Sequence, residues 1–255
     1  MSATTDIQFQ TLIGNNTDFV VGTKFGFNIE IDPGSVPQDI TSGGGLYTGQ
    51  PVGFTPEVVE IFSDSTEDKD GGTGGYTIRI IGLKTPESTE YESEDLDLNG
   101  TTPVNSLNTW WRLNRAYILT AGSVETNVGE IIVRAKTTTS VVFADIPELS
   151  GQTLSCVFTI PKDQLLVCQD FRIGMGRTNG SDGSAIVAIR YRPLNGAWRN
   201  IRRYKITNSA PVIGENETIR LEENSDIKVT VSQVSDNNTS FDAKLIFSML
   251  EKKTS

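Results

Sequence analysis

Histidine is absent from this 255-residue chain, cysteine occurs twice, and aromatic residues make up 8% of the composition. Without histidine the chain lacks the commonest general base and metal ligand, and the catalytic triads that contain histidine are excluded. Two cysteines cannot complete a Cys/His zinc site. The composition therefore excludes most of the common types of catalytic site.

Long apolar segments are also missing. No hydrophobic run approaches the roughly 20 residues that a membrane-spanning helix needs. Residues 1–10 lack the basic start and apolar centre of a signal peptide. We therefore expect a folded protein that is made without a signal peptide and does not insert into a membrane.

The net charge of −10 is distributed unevenly. Residues 1–100 contain 17 acidic and 4 basic side chains, whereas residues 101–255 contain 15 acidic and 18 basic side chains. Eight of the basic side chains lie in residues 172–205, which contain one acid. Because the whole chain repels polyanions, this basic segment predicts a protein partner rather than a nucleic acid. The acidic half of one copy is a candidate partner for the basic segment of another.

Apolar residues recur at every second position, most regularly in Ile227–Val231 and Phe241–Leu245. Successive side chains of a strand point to opposite faces, so this period indicates sheets with one buried face. Clusters of Gly, Pro and Asn separate the strands, and no window shows a convincing helical stripe. The pattern predicts an all-β protein with two β-sandwich or jelly-roll-like domains.

The domain organisation follows from composition and turn positions. We predict an N-terminal arm (1–16), an acidic β-sandwich domain (17–148) and a C-terminal β-sandwich or jelly-roll domain (149–255). Asn99-Gly100 and Asn195-Gly196 are predicted to form two-residue hairpin turns, because Asn and Gly tolerate positive φ.

One acidic segment alternates oxygen-bearing side chains before a glycine pair, which makes Asp64, Asp68 and Asp70 a weak calcium candidate. The bidentate Glu that such a loop needs further on is absent, so a solvated hairpin loop is the favoured interpretation. We therefore predict no metal and no cofactor.

A second acidic segment, Glu87–Asp97, places glutamates at alternate positions and predicts either a charged outer strand face or a docking surface. The adjacent tryptophans 110 and 111 point to opposite faces, so one of them needs an additional cover. The candidate interface residues are Arg190, Arg192, Arg199, Arg202, Arg203, Glu90, Glu92, Glu94, Trp110 and Trp111. Cys156 and Cys168 lie in apolar strands and are predicted to be buried free thiols rather than a disulfide.

The order of turn and strand motifs resembles that of structural proteins of marine tailed bacteriophages. The resemblance covers about residues 41–250 and rests on the segments Gly43–Tyr47, Gly72–Leu83, Leu96–Val104, Arg112–Tyr117, Thr120–Ser123, Asn127–Ile131, Val157–Pro161, Arg192-Pro193, Gly196–Arg199 and Glu223–Ile227. It implies a β-rich protein encoded among virion genes, and it implies no catalytic residues. The Glu87–Asp97 insert and the Arg-rich stretch 199–203 depart from the pattern.

These observations predict a non-enzymatic virion structural protein, with a multi-copy capsid decoration or knob protein as the first hypothesis. A tail, neck or receptor-binding component that attaches to the host is the second. The expected partners are other copies of the chain and other virion proteins such as the capsid. The competing class is a carbohydrate-acting or carbohydrate-binding module for a host-surface glycan, which would expose Trp110, Trp111 or Trp198 beside carboxylates.

Overall fold

The computed structural model describes residues 19–177, 183–207, 212–214 and 219–252, and these residues form an all-β structure. The predicted arm, residues 1–16, lies outside the described residues. The strands are β1 (Phe19–Ile31), β2 (Gln38–Asp39), β3 (Glu57–Ser63), β4 (Gly75–Leu83), β5 (Glu92–Asp97), β6 (Val104–Trp110), β7 (Arg112–Ala121), β8 (Ile131–Ala135), β9 (Val142–Ile146), β10 (Val157–Thr159), β11 (Gln164–Arg177), β12 (Ser184–Arg192), β13 (Arg199–Thr207), β14 (Val212–Gly214), β15 (Ile219–Leu221), β16 (Asp226–Val234) and β17 (Thr239–Glu251). Within these ranges, no helix is long and apolar enough to cross a membrane.

The first sandwich is built from strands β3 to β9. One sheet has the order β6-β3-β8-β9, and the other has the order β5-β4-β7. Val59 and Ile61 of β3 and Ile78 and Ile80 of β4 are buried in one core with Trp110. Because side chains alternate along each strand, this spacing places one face of each sheet in the shared core.

The second sandwich also joins two sheets over one core. One sheet has the order β1-β17-β11-β14, with β15 also paired to β11; the other has the order β10-β16-β12-β13, with β2 paired to β16. The predicted alternation is confirmed on β17, where Phe241, Ala243 and Leu245 are buried and Asp242 and Lys244 are exposed. Both sandwiches are antiparallel, which confirms the predicted fold class.

Strands from the beginning of the chain belong to the second sandwich. Phe19 of β1 pairs with Leu250 of β17, and Asp39 of β2 pairs with Thr230 of β16. The first sandwich is therefore inserted between β2 and β10. The division of the chain at residues 148 and 149 stays a prediction, while the strand pairing assigns residues 19–39 to the later sheets.

The two Asn-Gly pairs form different turns. The hairpin predicted at Asn99-Gly100 is wrong, because β5 pairs with β4 whereas β6 pairs with β3. That turn crosses between sheets, and Gly100 provides its positive φ of 59°. Asn195, with a φ of 56°, lies between the paired strands β12 and β13 as predicted, but the connection spans residues 193–198 rather than two residues.

Candidate interaction site

A cluster of buried charges joins the two sandwiches. Asp226 at the start of β16 accepts hydrogen bonds from Thr159 Oγ1 at 2.6 Å and from Arg112 Nε at 3.1 Å, and it forms an ion pair with Arg192 of β12. Arg112 begins β7 of the first sandwich and also donates to the Pro51 carbonyl at 2.9 Å. One carboxylate thus holds guanidinium groups from both sandwiches, and all three charged side chains are almost fully buried.

A second buried ion pair lies two residues further along β16. Lys228 Nζ is 2.7 Å from Asp39 Oδ2, and Asp39 Oδ1 accepts a hydrogen bond from Thr230 Oγ1 at 2.5 Å. The Trp198 ring covers this region, with its centroid 4.7 Å from both Arg192 Cζ and Lys228 Nζ. Among the described residues, the cluster contains three cations, Arg112, Arg192 and Lys228, and two carboxylates, Asp39 and Asp226. The cluster therefore has an excess of positive charge.

The residues predicted for an interface are not all available to a partner. Four of them are buried, namely Arg192, Glu94, Trp110 and Trp111. Three are half-buried, namely Arg190, Arg202 and Glu92, and three are exposed, namely Arg199, Arg203 and Glu90. The interface itself stays a prediction. Its buried members take part in contacts within the chain.

The prediction of an outward acidic face on β5 is wrong for Glu94. Its buried carboxylate accepts hydrogen bonds from the N–H groups of Leu107 at 2.5 Å and Asn108 at 3.2 Å. Strands β5 and β6 belong to different sheets, so Glu94 bridges two neighbouring edges of the first sandwich. The backbone donors satisfy the carboxylate, which is why a charge is tolerated on the inward face.

The tryptophans do not form an exposed aromatic platform. Trp110 is 0% exposed in the first core, and Trp111 is 2% exposed with its ring centroid 4.4 Å from Arg112 Cζ. Trp198 is half-buried because its ring packs over the charged cluster. Burial therefore removes Trp110 and Trp111 from any glycan-stacking surface.

Asp68, from the calcium candidate, is a buried structural carboxylate. Its oxygens accept hydrogen bonds from Ser63 Oγ at 2.6 Å and from the N–H groups of Gly75, Val128 and Gly129 at 2.8, 2.8 and 2.9 Å. Four donors therefore use the lone pairs that a cation would need. In the part of the chain that the structure describes, no group of three or more acidic or cysteine side chains is placed to hold a metal ion.

Exposed acids collect on loops at one end of the first sandwich. β7 runs about 30 Å from Arg112 at the junction to Ala121 at this end. The loops are tied together by backbone bonds from Val124 N to Thr73 O at 2.9 Å and from Leu149 N to Asn127 O at 3.2 Å. Six exposed carboxylates, none in an ion pair with a described residue, form what we call the acidic tip: Asp64, Glu67, Asp70, Glu125, Glu130 and Glu148.

A group of exposed cations lies on the second sandwich. β13 is an edge strand that pairs with β12 alone among the described strands, and Arg199, Arg203 and Lys205 on it are exposed without an ion-pair partner in the described chain. Arg190 of β12 is half-buried, lies 5.7 Å from the Trp198 centroid, and has an Nε without a hydrogen-bond partner among the described residues. We call these four cations the basic face; Arg190, Arg203 and Lys205 share one side of the sheet, whereas Arg199 pairs with Tyr191 and lies on the other side of the same edge.

Three further side chains have no evident role in a surface. Cys156 and Cys168 are buried and form no disulfide, which confirms the prediction, and burial raises the pKa of the Cys156 thiol to about 12. Lys24 donates a hydrogen bond to the Asn114 carbonyl, and burial lowers its pKa to about 8.

Asp145 lies beside a cavity of about 250 Å³ between strands β8 and β9 and the loop of residues 41–48. Burial, and then the nearby carboxylate of Glu130, raise the pKa of Asp145 to about 7. The Asp145 carbonyl accepts a hydrogen bond from Ser42 Oγ at 2.8 Å, so the carboxyl lies where the loop rests on β9.

The raised pKa of Asp145 predicts a pH-dependent stability. A carboxyl that is protonated more readily in the folded state stabilises it below its unfolded pKa, and this contribution is lost as the pH rises toward about 7. Between about pH 5 and about pH 7.5, we expect the unfolding free energy of the wild type to fall relative to that of Asp145→Asn. The fall should be on the order of 1–2 kcal/mol rather than larger, because water beside exposed Glu130 screens the interaction. Urea unfolding at both pH values measures it, with Glu148→Gln as the control. A parallel pH dependence in the wild type and Asp145→Asn would contradict the assignment.

The roles of Arg112, Asp39 and Asp226 were not predicted from the sequence. The polar residues of β16 alternate with its apolar residues, which the sequence makes visible, but this pattern is typical of a solvent-exposed face. Nothing in the local sequence reveals that the first sandwich and Trp198 cover that face.

Comparisons with known proteins do not assign a family. No protein-family model matches the chain, and no curated protein matches it. Solved structures of infectious bursal disease virus show weak similarity: a viral particle (9% identity, TM-score 0.21, covering 92% of this chain and 74% of that chain), the Gx strain (9%, 0.25, 92% and 71%) and a VP2 subviral particle (9%, 0.22, 92% and 72%). These TM-scores are too low to support an argument about this chain.

Proposed function

We propose that this chain is a non-enzymatic virion structural protein, and that it assembles in multiple copies on a capsid as a decoration or knob protein. The observation that carries the proposal is the separation of unpaired surface charge: carboxylates on the acidic tip of the first sandwich and cations on the basic face of the second. Complementary charged surfaces on one chain suit repeated contacts between copies, because they set both the register and the partner. The resemblance of its motif order to that of structural proteins of marine tailed bacteriophages supports the virion class.

The internal architecture also suits a building unit. The Asp226 cluster ties a strand of the first sandwich to two strands of the second, with both guanidinium groups buried. Buried, fully hydrogen-bonded charges restrict the relative positions of the elements that carry them. Two sandwiches held in this way would present the acidic tip and the basic face in a constant geometry.

Purified particles of the virus that encodes this chain provide the test. We expect the chain in them at a fixed multi-copy stoichiometry by quantitative mass spectrometry, with antibody labelling over the capsid. Absence from particles would contradict the virion role, and labelling confined to the tail would contradict the decoration role. A known capsid protein of the same particles is the control for both measurements.

A further inference from the structure

We propose that the basic face binds the acidic tip of a second copy of this chain. This inference rests on the proposed multi-copy assembly and names the two surfaces that form its contact. A contact between two different surfaces is heterologous, so it repeats from copy to copy and builds either a ring or an open chain.

The basic face has cations that the chain itself leaves without carboxylate partners. The register pairs Ala188 with Arg203 and Ile186 with Lys205, so Arg203 and Lys205 lie on the same face of the sheet as Arg190. Beside them on the same face of the sheet, where Arg190 pairs with Lys228, the charged cluster already contains more buried cations than carboxylates. Arg190 has no carboxylate partner among the described residues, and its half-buried guanidinium carries a charge that an incoming carboxylate would balance.

The acidic tip fits this face better than the Glu87–Asp97 insert does. In the insert, Glu87 pairs with Lys162, and Asp95 lies 2.6 Å from Arg79 Nε. The acidic tip has six exposed carboxylates without such ion pairs and one exposed cation, Lys69. Its loops lie at the end of the first sandwich opposite Arg112, and its exposed carboxylates are accessible to a neighbouring copy.

Charged residues on an edge strand have a second established role, because charge of either sign discourages edge-to-edge pairing. Charge reversal separates the two roles. A variant with Arg199→Glu, Arg203→Glu and Lys205→Glu keeps a charged edge but repels an acidic partner. If the cations only protected the edge, this variant would behave like the wild type.

The test measures self-association of the full chain by sedimentation velocity, in EDTA, at about 0.01 M and about 1 M ionic strength, where the Debye length is about 30 Å and about 3 Å. We expect the wild type to associate at low salt and to dissociate at high salt. The basic-face variant and a tip variant (Asp70→Lys, Glu125→Lys, Glu148→Lys) should each associate at least about tenfold more weakly. An equimolar mixture of the two should associate again, because each reversed surface then meets its complement.

The matched control is Lys136→Glu, Arg220→Glu, Lys244→Glu, which changes the net charge as the basic-face variant does but alters exposed cations elsewhere. Circular dichroism and thermal unfolding confirm that each variant is folded. The inference would be overturned if both reversed variants associated as strongly as the wild type, or if the control variant lost association to the same extent. It would also be overturned if the mixture failed to associate, or if the wild type were monomeric at low salt. The location of the chain in particles is measured separately, by mass spectrometry and antibody labelling. The contact between copies and the virion role can therefore fail independently of each other.

Discussion

Replacing Asp226 with alanine is expected to cost at least about 3–5 kcal/mol of unfolding free energy, because it leaves Arg112 and Arg192 as buried charges without this carboxylate. Thr159 Oγ1 also loses its acceptor. The loss acts on both sandwiches, since Arg112 belongs to the first and Arg192 to the second. Urea unfolding followed by tryptophan fluorescence measures the change, and Trp111 and Trp198 report on the site because their rings lie against the two guanidinium groups.

The matched control is Asp95→Ala, which removes the partner of Arg79 in an ion pair whose side chains are 34% and 43% exposed. Water solvates the remaining charge there, so we expect a loss of no more than about 1 kcal/mol. Similar losses for the two variants would contradict the role assigned to Asp226.

Replacing Asp68 with alanine is expected to destabilise the first sandwich by about 3–5 kcal/mol. The change removes the acceptor of four hydrogen bonds, and each buried donor left without a partner costs about 1–3 kcal/mol, part of which water entering the new space recovers. Asp70→Ala is the control in the same loop, since its side chain is exposed, and we expect a change within about 0.5 kcal/mol.

Thermal unfolding of the wild type and of Asp68→Ala distinguishes a structural carboxylate from a calcium ligand. Thermal unfolding of the wild type should occur at the same temperature with calcium and with a chelator, because N–H and hydroxyl donors already use the Asp68 oxygens. A calcium-dependent rise in the wild type that Asp68→Ala abolishes would show that the loop binds the ion and would contradict this assignment.

The sequence was sufficient where a residue's environment follows from its neighbours. The alternation in Phe241–Leu245 predicted a strand with one buried face, and the apolar context of Cys156 and Cys168 predicted buried thiols. It was insufficient where two distant segments meet. Glu94 follows the same alternation as Leu96 and is buried with it, because the N–H groups of Leu107 make a charge acceptable there.

By itself, the sequence determined an all-β chain without histidine chemistry, with acidic and basic side chains concentrated in different segments. These properties depend on composition and on the two-residue period of a strand, both of which are local. The tertiary structure alone decided which charges are buried and which are free. Asp226 becomes the junction of two sandwiches and Asp68 the centre of a loop, because their partners lie 114 and 60 residues away, as Arg112 and Val128 do. Solvation and pairing depend on such distant contacts, so the acidic tip and the basic face emerge only once the chain is folded.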